Sequence, residues 1–180
     1  MKLDQKYFVP FLAIAAVITA LLITFFTISS QKGQRQVFRE YIMQQDSLRL
    51  EKMPVLYEND SLSVTDLKGK FVILDFWATW SNFSEDMHFQ ISELVKQHPD
   101  TLEVIAAVVK DRQDKIDEYI ERHDFPFHFV EGTAVFNKYD VPGMPTEIIY
   151  SPEGNIMDVF FGYSDSTQFD SLRTLIKNGK

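Results

Sequence analysis

The chain has 180 residues, 45% of them hydrophobic and 14% aromatic, so it can bury one sizeable core in a single domain plus extra segments. Its net charge of −8 and pI near 5.0 argue against a nucleic-acid-binding protein, which needs clustered Lys and Arg. No cysteine is present, which excludes disulfides, thiolate nucleophiles, zinc–thiolate sites and iron–sulfur clusters.

The first predicted element is a long uncharged segment, Phe8 to Ile28, rich in Ala, Ile, Leu, Val and Phe. At about 1.5 Å per residue, a helix of this length crosses a hydrocarbon layer of ~30 Å. We therefore expect residues 1–30 to form a cytoplasmic tail and one transmembrane anchor. A cleaved signal peptide is the alternative, but its apolar region is usually about 7 to 15 residues and ends at small residues, whereas this run continues into Phe25 and Phe26.

Residues 31–53 are polar, and their apolar side chains follow the spacing of one helix face. These side chains are Val37, Phe38, Tyr41, Ile42 and Leu48. The pattern predicts a helical stalk after the anchor. Two interpretations stay open: a docking or dimerising face, or an amphipathic segment that folds back on the domain or lies on the membrane surface.

The globular domain is predicted to span residues 54–180, where apolar runs typical of buried strands alternate with helical periodicity. Strands or extended pieces are expected near 54–57, 62–64, 71–74, 102–109, 127–130, 146–150 and 156–161. Helices are expected at 82–96, 111–123, 134–139 and 169–176, with a helical turn at 65–70. Helices inserted between the first strands and an antiparallel hairpin at the end predict a mixed-sheet α/β sandwich.

Two motifs stand out in this domain. The first is DFWATW followed by the four-residue window Ser81-Asn82-Phe83-Ser84 and a helix, and the second is YDVPGMPTEIIYSPEGN. Together they resemble the thioredoxin family, closest to its membrane-anchored, TlpA-like thiol-disulfide oxidoreductases. The resemblance covers roughly residues 54–177. It implies a thioredoxin-like three-layer sandwich with a mixed central sheet.

The same resemblance assigns site residues. The family carries C-x-x-C where this chain has Ser81 and Ser84, and a cis-proline opposite it where this chain has Pro145 between Met144 and Thr146. Asp75 matches the buried carboxyl group that serves the second cysteine as proton acceptor. The family also implies an extracytoplasmic domain, whereas the lysines and arginines flanking the anchor, counted alone, mildly favour a cytoplasmic one.

The chemistry expected of these polar residues is limited. A serine nucleophile needs a base within hydrogen-bond reach, and neither motif contains a histidine, so Ser81 and Ser84 are expected to cap the following helix. Asp75, at the end of a buried strand, must be hydrogen-bonded or protonated, with Ser84 or a water as its partner. A proton-handling role is the alternative for Asp75.

The aromatic residues around the window suggest a surface. Trp77 is expected in the core and Trp80 partly exposed. With Phe83, Met144 and Pro145, Trp80 would form an apolar binding patch. Alternatively, Phe83 tucks against its own domain.

No metal or cofactor is expected. The histidines at 88, 98, 123 and 128 lack metal-ligand spacing, so we expect solvated or capping roles for them.

Two functions from different classes follow. The first is a membrane-anchored, non-catalytic thioredoxin-fold module that binds a protein or peptide in a groove beside Pro145, where the backbone offers free groups for strand addition. The second is a thiol-disulfide oxidoreductase or peroxidase-like redoxin, which family resemblance alone would assign. Without sulfur, the family's electron-transfer chemistry has no carrier, so the first function is preferred.

Overall fold

The computed structural model describes residues 5–162, 170–174 and 176. The chain divides into two compact units, Met1–Val37 and Phe38–Lys180. The second unit begins well before the predicted domain start at residue 54. Of the predicted closing helix at 169–176, residues 170–174 and 176 are helical, and residues 169 and 175 lie outside the described residues.

Helix α1 spans Gln5–Ile42 and contains the predicted anchor. Its apolar stretch has a mean hydropathy of 2.6 and is not buried by protein, so by length and composition the helix could cross a membrane. The large apolar side chains from Phe8 to Ile28 are exposed to between 46% and 68%. An apolar surface of this size without a protein cover is what a bilayer would cover.

The segment predicted as a stalk contributes to the core of the second unit. Phe38, Ile42 and Leu48 are at most 5% exposed and pack in one cluster with strands of the central sheet. Arg39 forms an ion pair with Asp158. Phe38, Ile42 and Leu48 thus belong to the folded domain, whereas Val37 and Tyr41 of the same predicted face are 67% and 44% exposed.

The described part of the domain contains seven strands, five of which form the central sheet. The strands are β1 Met53–Pro54, β2 Ser61–Leu62, β3 Phe71–Trp77, β4 Leu102–Val108, β5 His128–Glu131, β6 Thr146–Tyr150 and β7 Ile156–Phe161. The remaining helices with full bounds are α2 Asn82–Gln97, α3 Gln113–Arg122 and α4 Thr133–Lys138, with 3₁₀ turns at Leu48–Leu50 and Val64–Leu67. Strands β1 and β2 form a separate antiparallel pair.

The order of strands in the central sheet is β5-β4-β3-β6-β7. Strand β3 lies in the centre, parallel to β4 and antiparallel to β6, and β7 completes the predicted hairpin with β6. All seven residues of β3 are buried, as expected for a continuous apolar run with structure on both faces. The mixed sheet and the bounds of β6 and β7 confirm the predicted fold class.

The two faces of the sheet pack against different elements. On one face, Val72, Leu74 and Phe76 join the end of α1 and α4 in one apolar cluster. On the other face, Phe71 and Ile73 pack against α2, and Trp77 packs against α3. The strand's alternation therefore places Asp75 on the face covered by α2 and α3.

Candidate functional site

The candidate site begins where β3 ends. Trp77 and Ala78 are fully buried, the Ser81 N–H donates to the Ala78 carbonyl at 3.1 Å, and α2 starts at Asn82. We call residues 78–84 the site turn. A second tie holds this turn, because the Thr79 backbone N–H and hydroxyl both donate to the Asp111 carboxylate, at 2.6 and 3.0 Å. Asp111 was missed from the sequence because it is distant in the chain and follows a neighbouring strand.

The serines in the site turn do not act as predicted. Ser81 occupies the N-cap position of α2 without a side-chain capping bond, so the capping prediction is wrong for it. Ser84 is 1% exposed, and its hydroxyl oxygen accepts from the Ala78 N–H at 3.5 Å, the outer limit of a hydrogen bond. Ser84 thus faces back into the turn that precedes the helix.

His88 follows Ser84 by one helical turn, but it is not a base for a serine nucleophile. Its Nδ1 lies 2.7 Å from the Tyr119 hydroxyl and its Nε2 lies 2.7 Å from Asp75 Oδ2. Both ring nitrogens are therefore engaged by other groups. Because activation requires the base to contact the hydroxyl, the geometry gives Ser84 no activating partner among the described residues.

The two tryptophans in and beside the site turn lie as the sequence predicts. Trp77 is fully buried, whereas Trp80 is 61% and Phe83 is 55% exposed. The exposure of Phe83 favours the surface interpretation over tucking into the domain. We call Trp80 and Phe83 the aromatic rim.

The proline loop meets the same end of the sheet. The Met144–Pro145 peptide bond is cis, as expected. Thr146 pairs with Phe76 in the β3–β6 register, so Met144 and Pro145 continue beside the end of β3, where the site turn begins. Met144 is half-buried and Pro145 is buried.

The backbone of this loop is only partly available. The Pro145 carbonyl accepts a hydrogen bond from the Gly162 N–H at 2.8 Å, so the expectation of a free carbonyl at Pro145 is wrong. The Thr146 hydroxyl donates to the Gly143 carbonyl at 2.7 Å. Among the described residues, the backbone N–H and C=O of Met144 make no hydrogen bond. Met144 is therefore the position at which an extended segment could add to the loop.

Directly beneath the site turn lies a chain of buried polar side chains, Asp75, His88 and Tyr119. All three are at most 6% exposed, and the two 2.7 Å contacts of His88 link them. The polar atoms of His88 are satisfied when Tyr119 donates to Nδ1 and Nε2–H donates to the Asp75 carboxylate. Burial, together with the charges of Glu85 and Asp75, raises the pKa of Tyr119, so the phenol keeps its proton.

This chain corrects two expectations. Asp75 is paired with His88 rather than with Ser84. His88 is fully buried, so the prediction of a solvated or capping role is wrong for this histidine. Trp77 packs 4.8 Å from His88 between ring centroids, and Phe125, Phe127 and Phe129 enclose it further.

Glu147 completes the buried layer, and it was not predicted from the sequence. It pairs with Asp75 in the β3–β6 register and is 2% exposed. Burial, followed by the charge of Asp75, raises the pKa of Glu147 well above its ordinary value. We call Asp75, His88, Tyr119 and Glu147 the polar layer. In the part of the chain that the structure describes, no group of three His, Asp or Glu side chains could hold a metal ion.

The chain is similar in sequence to known proteins. A sequence model of the AhpC/TSA family matches residues 26–159. A similar curated protein is "Thiol-disulfide oxidoreductase ResA" of Bacillus cereus, 26% identical over 116 residues, which are 63% of this chain and 67% of that protein.

Solved structures share the fold. A putative thiol:disulfide interchange protein DsbE from Chlorobium tepidum superposes with a TM-score of 0.62 and 18% identity, covering 72% of this chain and 92% of that one. StoA from Bacillus subtilis superposes with a TM-score of 0.56 and 19% identity, covering 68% and 95%. At these identities the likeness establishes the thioredoxin fold alone.

Proposed function

This chain belongs to the AhpC/TSA family, and from that premise we propose that it is a membrane-anchored, non-catalytic thioredoxin-fold module that binds a protein or peptide segment. The observation that carries the proposal is the absence of cysteine from the whole chain. Relatives of this chain are named thiol-disulfide oxidoreductases. In thiol-disulfide exchange, a thiolate attacks a disulfide. Serine has no accessible thiolate or disulfide state, so this chain cannot carry the electrons.

What supports binding is the surface that surrounds the serines. Trp80 and Phe83 expose more than half of their side chains, which is costly in water unless a partner covers them. Met144, on the neighbouring loop, offers an unbonded backbone N–H and C=O within the described residues. Aromatic anchors beside free backbone groups suit an extended peptide, because the backbone supplies hydrogen bonds and the rings supply buried area.

The location follows from the anchor and the family. Helix α1 fits a single-pass membrane anchor, and we propose that residues Phe8 to Ile28 cross the bilayer. We further propose that the domain lies on the extracytoplasmic side, as the TlpA-like resemblance implies. Cysteine-labelling reagents that cannot cross the membrane test on which side of it the domain lies. A Glu58→Cys variant, exposed in the β1–β2 turn, should be labelled in intact cells without permeabilisation.

The first functional test is disulfide reduction. The full chain in lipid nanodiscs should reduce insulin no faster than empty nanodiscs do. A chain carrying both Ser81→Cys and Ser84→Cys is the positive control, because it restores the C-x-x-C of the family on the same backbone. Turnover by the unsubstituted chain above the empty-nanodisc rate would overturn the non-catalytic assignment.

The second test concerns the surface. Peptides selected from a random library on the full chain should lose affinity about fivefold or more in Phe83→Ala and in Trp80→Ala, as expected for anchors worth about 1 kcal/mol or more. Phe89→Ala is the matched control. Phe89 lies on α2, as Phe83 does, and is 49% exposed, but its ring packs on His123 and Phe125. Equal affinity losses in the three variants would exclude the aromatic rim as the binding surface.

A further inference from the structure

The polar layer contains more hydrogen-bond acceptors than donors. Among the described residues, Asp75 Oδ1 and both carboxyl oxygens of Glu147 are buried without a partner. The second oxygen of Asp75 is already paired with His88. Buried carboxyl oxygens that lack donors are costly, and more so when they are charged. The site therefore lacks at least one donor.

The register of the sheet places the two carboxyl groups together. Asp75 and Glu147 are directly opposite residues of the antiparallel β3–β6 pair, so their side chains share one face and their Cβ atoms lie about 4.5–5.5 Å apart. Two ionised carboxylates at this distance in a dry interior repel each other strongly. One proton removes the repulsion and also supplies the missing donor.

We propose that Asp75 and Glu147 share one proton, which Glu147 carries, forming a buried proton-binding site whose loss of that proton as the pH rises loosens the segments framing the site turn. In the protonated form, the Glu147 hydroxyl donates to Asp75 Oδ1 while His88 Nε2–H donates to Oδ2. The shared proton does not depend on the proposed binding function. The raised pKa of Glu147, caused first by burial and then by Asp75, agrees with it.

The groups that face this pair are few among the described residues. His88 faces it from α2, and Tyr119 faces His88 from α3. From the adjacent strands, Ala106 of β4 lies beside Asp75, and Phe160 of β7 lies beside Glu147, and neither can ionise. Within the described part of the chain, His88 is thus the one hydrogen-bond donor that contacts the carboxyl pair, and it already serves Asp75.

Loss of the proton would act on three segments at once. Asp75 lies on the strand that enters the site turn, and His88 lies on the helix that leaves it. Glu147 follows the cis-proline loop on β6. A second negative charge between these segments favours their separation or the entry of water. A change in the pH of the medium would therefore change the packing of the proline loop and the site turn through the charge of the polar layer.

The direction of the pH dependence follows from the raised pKa. In the unfolded chain Glu147 titrates near the ordinary value of 4.5, and in the folded chain its pKa lies well above that value. The stabilisation that the Glu147 proton gives the folded state is complete below pH 4.5. It is lost as the pH rises from there through the folded-state pKa. Each unit of separation between the two pKa values contributes a factor of ten to the unfolding constant.

Urea unfolding of the full chain in nanodiscs, monitored by tryptophan fluorescence, tests this pH dependence of stability. Both tryptophans of the chain, Trp77 and Trp80, lie in the second unit, so the signal reports on that unit alone. Between pH 5 and pH 9 the unfolding constant of the unsubstituted chain should rise at least tenfold more than that of Glu147→Gln. The amide that this substitution introduces donates to Asp75 without titrating. Glu58→Gln, at an exposed turn, is the control and should follow the unsubstituted chain.

Parallel pH profiles for Glu147→Gln and the unsubstituted chain would overturn the proposal. Infrared spectroscopy provides a second readout that does not need the variant to fold. At pH 6, above the ordinary range of carboxyl groups, the unsubstituted chain should show the carbonyl stretch of a protonated carboxyl group, which disappears as the pH is raised. Absence of this band at pH 6 would show that no proton is shared and would equally overturn the proposal.

Discussion

The site turn lies above the polar layer. Each region contains the kind of side chain that its location disfavours. The turn faces solvent, yet it presents Trp80 and Phe83, two large apolar side chains that are 61% and 55% exposed. The layer beneath lies in the core, yet Asp75, His88 and Glu147 can all carry charge. Apolar groups outside and ionisable groups inside both cost free energy, so neither arrangement serves stability alone.

The difference between the two regions shows where chemistry is still possible. The site turn carries serine at both positions where the family has cysteine, so the turn lacks the thiols of thiol-disulfide exchange, and the role that we propose for it is binding. The polar layer keeps three hydrogen-bonded ionisable groups, Asp75, His88 and Tyr119, connected by two contacts of 2.7 Å. A surface for binding above a site for protons is consistent with a protein that recognises its partner without reacting with it.

The largest effect should come from removing the centre of the polar layer. His88→Ala deletes both 2.7 Å contacts and leaves the buried Asp75 carboxylate without its donor. Leaving a buried charge without its partner typically costs about 3–5 kcal/mol. Urea unfolding of the full chain in nanodiscs measures this, with His98→Ala at the partly exposed end of α2 as the control, expected to change stability by less than about 1 kcal/mol. A cost for His88→Ala as small as that of the control would show that the layer is not a connected network.

A smaller effect is expected at the far end of the same chain of contacts. Tyr119→Phe removes one hydroxyl and leaves His88 Nδ1 without its partner, which should cost about 1–3 kcal/mol. In the double variant with His88→Ala the two costs should not add, because both substitutions remove the same contact. Additive costs in this double-mutant cycle would contradict a direct Tyr119–His88 interaction.

How far the sequence predicted these two regions depends on the kind of interaction. The continuous apolar run at Phe71–Leu74 predicted the central strand, because burial on both faces leaves a local pattern. The turn residues between the two extended segments after Pro145 predicted the hairpin of β6 and β7. The exposure of Trp80 also followed from its position in a turn. These features depend on neighbours in the chain.

The polar layer depends on residues that are distant in the chain, and there the prediction failed. His88 lies four residues after Ser84 and three before Ile91, so the helical spacing could have revealed that it is buried, but not that Asp75 and Tyr119 are its partners. Glu147 stands alone among apolar residues in a buried strand, a signal that was available and not used. The side-chain cap expected of Ser81 failed because capping depends on the rotamer, which spacing does not determine.

The third prediction separates the functions of the two regions at a single residue. Phe83→Ala should change the free energy of unfolding by less than about 0.5 kcal/mol, since a side chain that is 55% exposed loses little burial on truncation. It should nevertheless weaken peptide binding by about 1 kcal/mol or more. A loss of about 3 kcal/mol in stability with binding unchanged would instead place Phe83 in the core and end the groove hypothesis.

The smallest effect should come from Trp80→Phe, which tests the contrast between the two tryptophans. Stability should change by less than about 0.5 kcal/mol, because a ring that is 61% exposed contributes little to packing. The fluorescence should change more clearly, since only the fully buried Trp77 then emits, and acrylamide should quench the variant far less than the unsubstituted chain. Adding a selected peptide to the unsubstituted chain should reduce quenching in the same way, because the peptide covers Trp80. If the peptide leaves the quenching of the unsubstituted chain unchanged while binding is saturated, Trp80 is not part of the binding surface, and the aromatic rim reduces to Phe83.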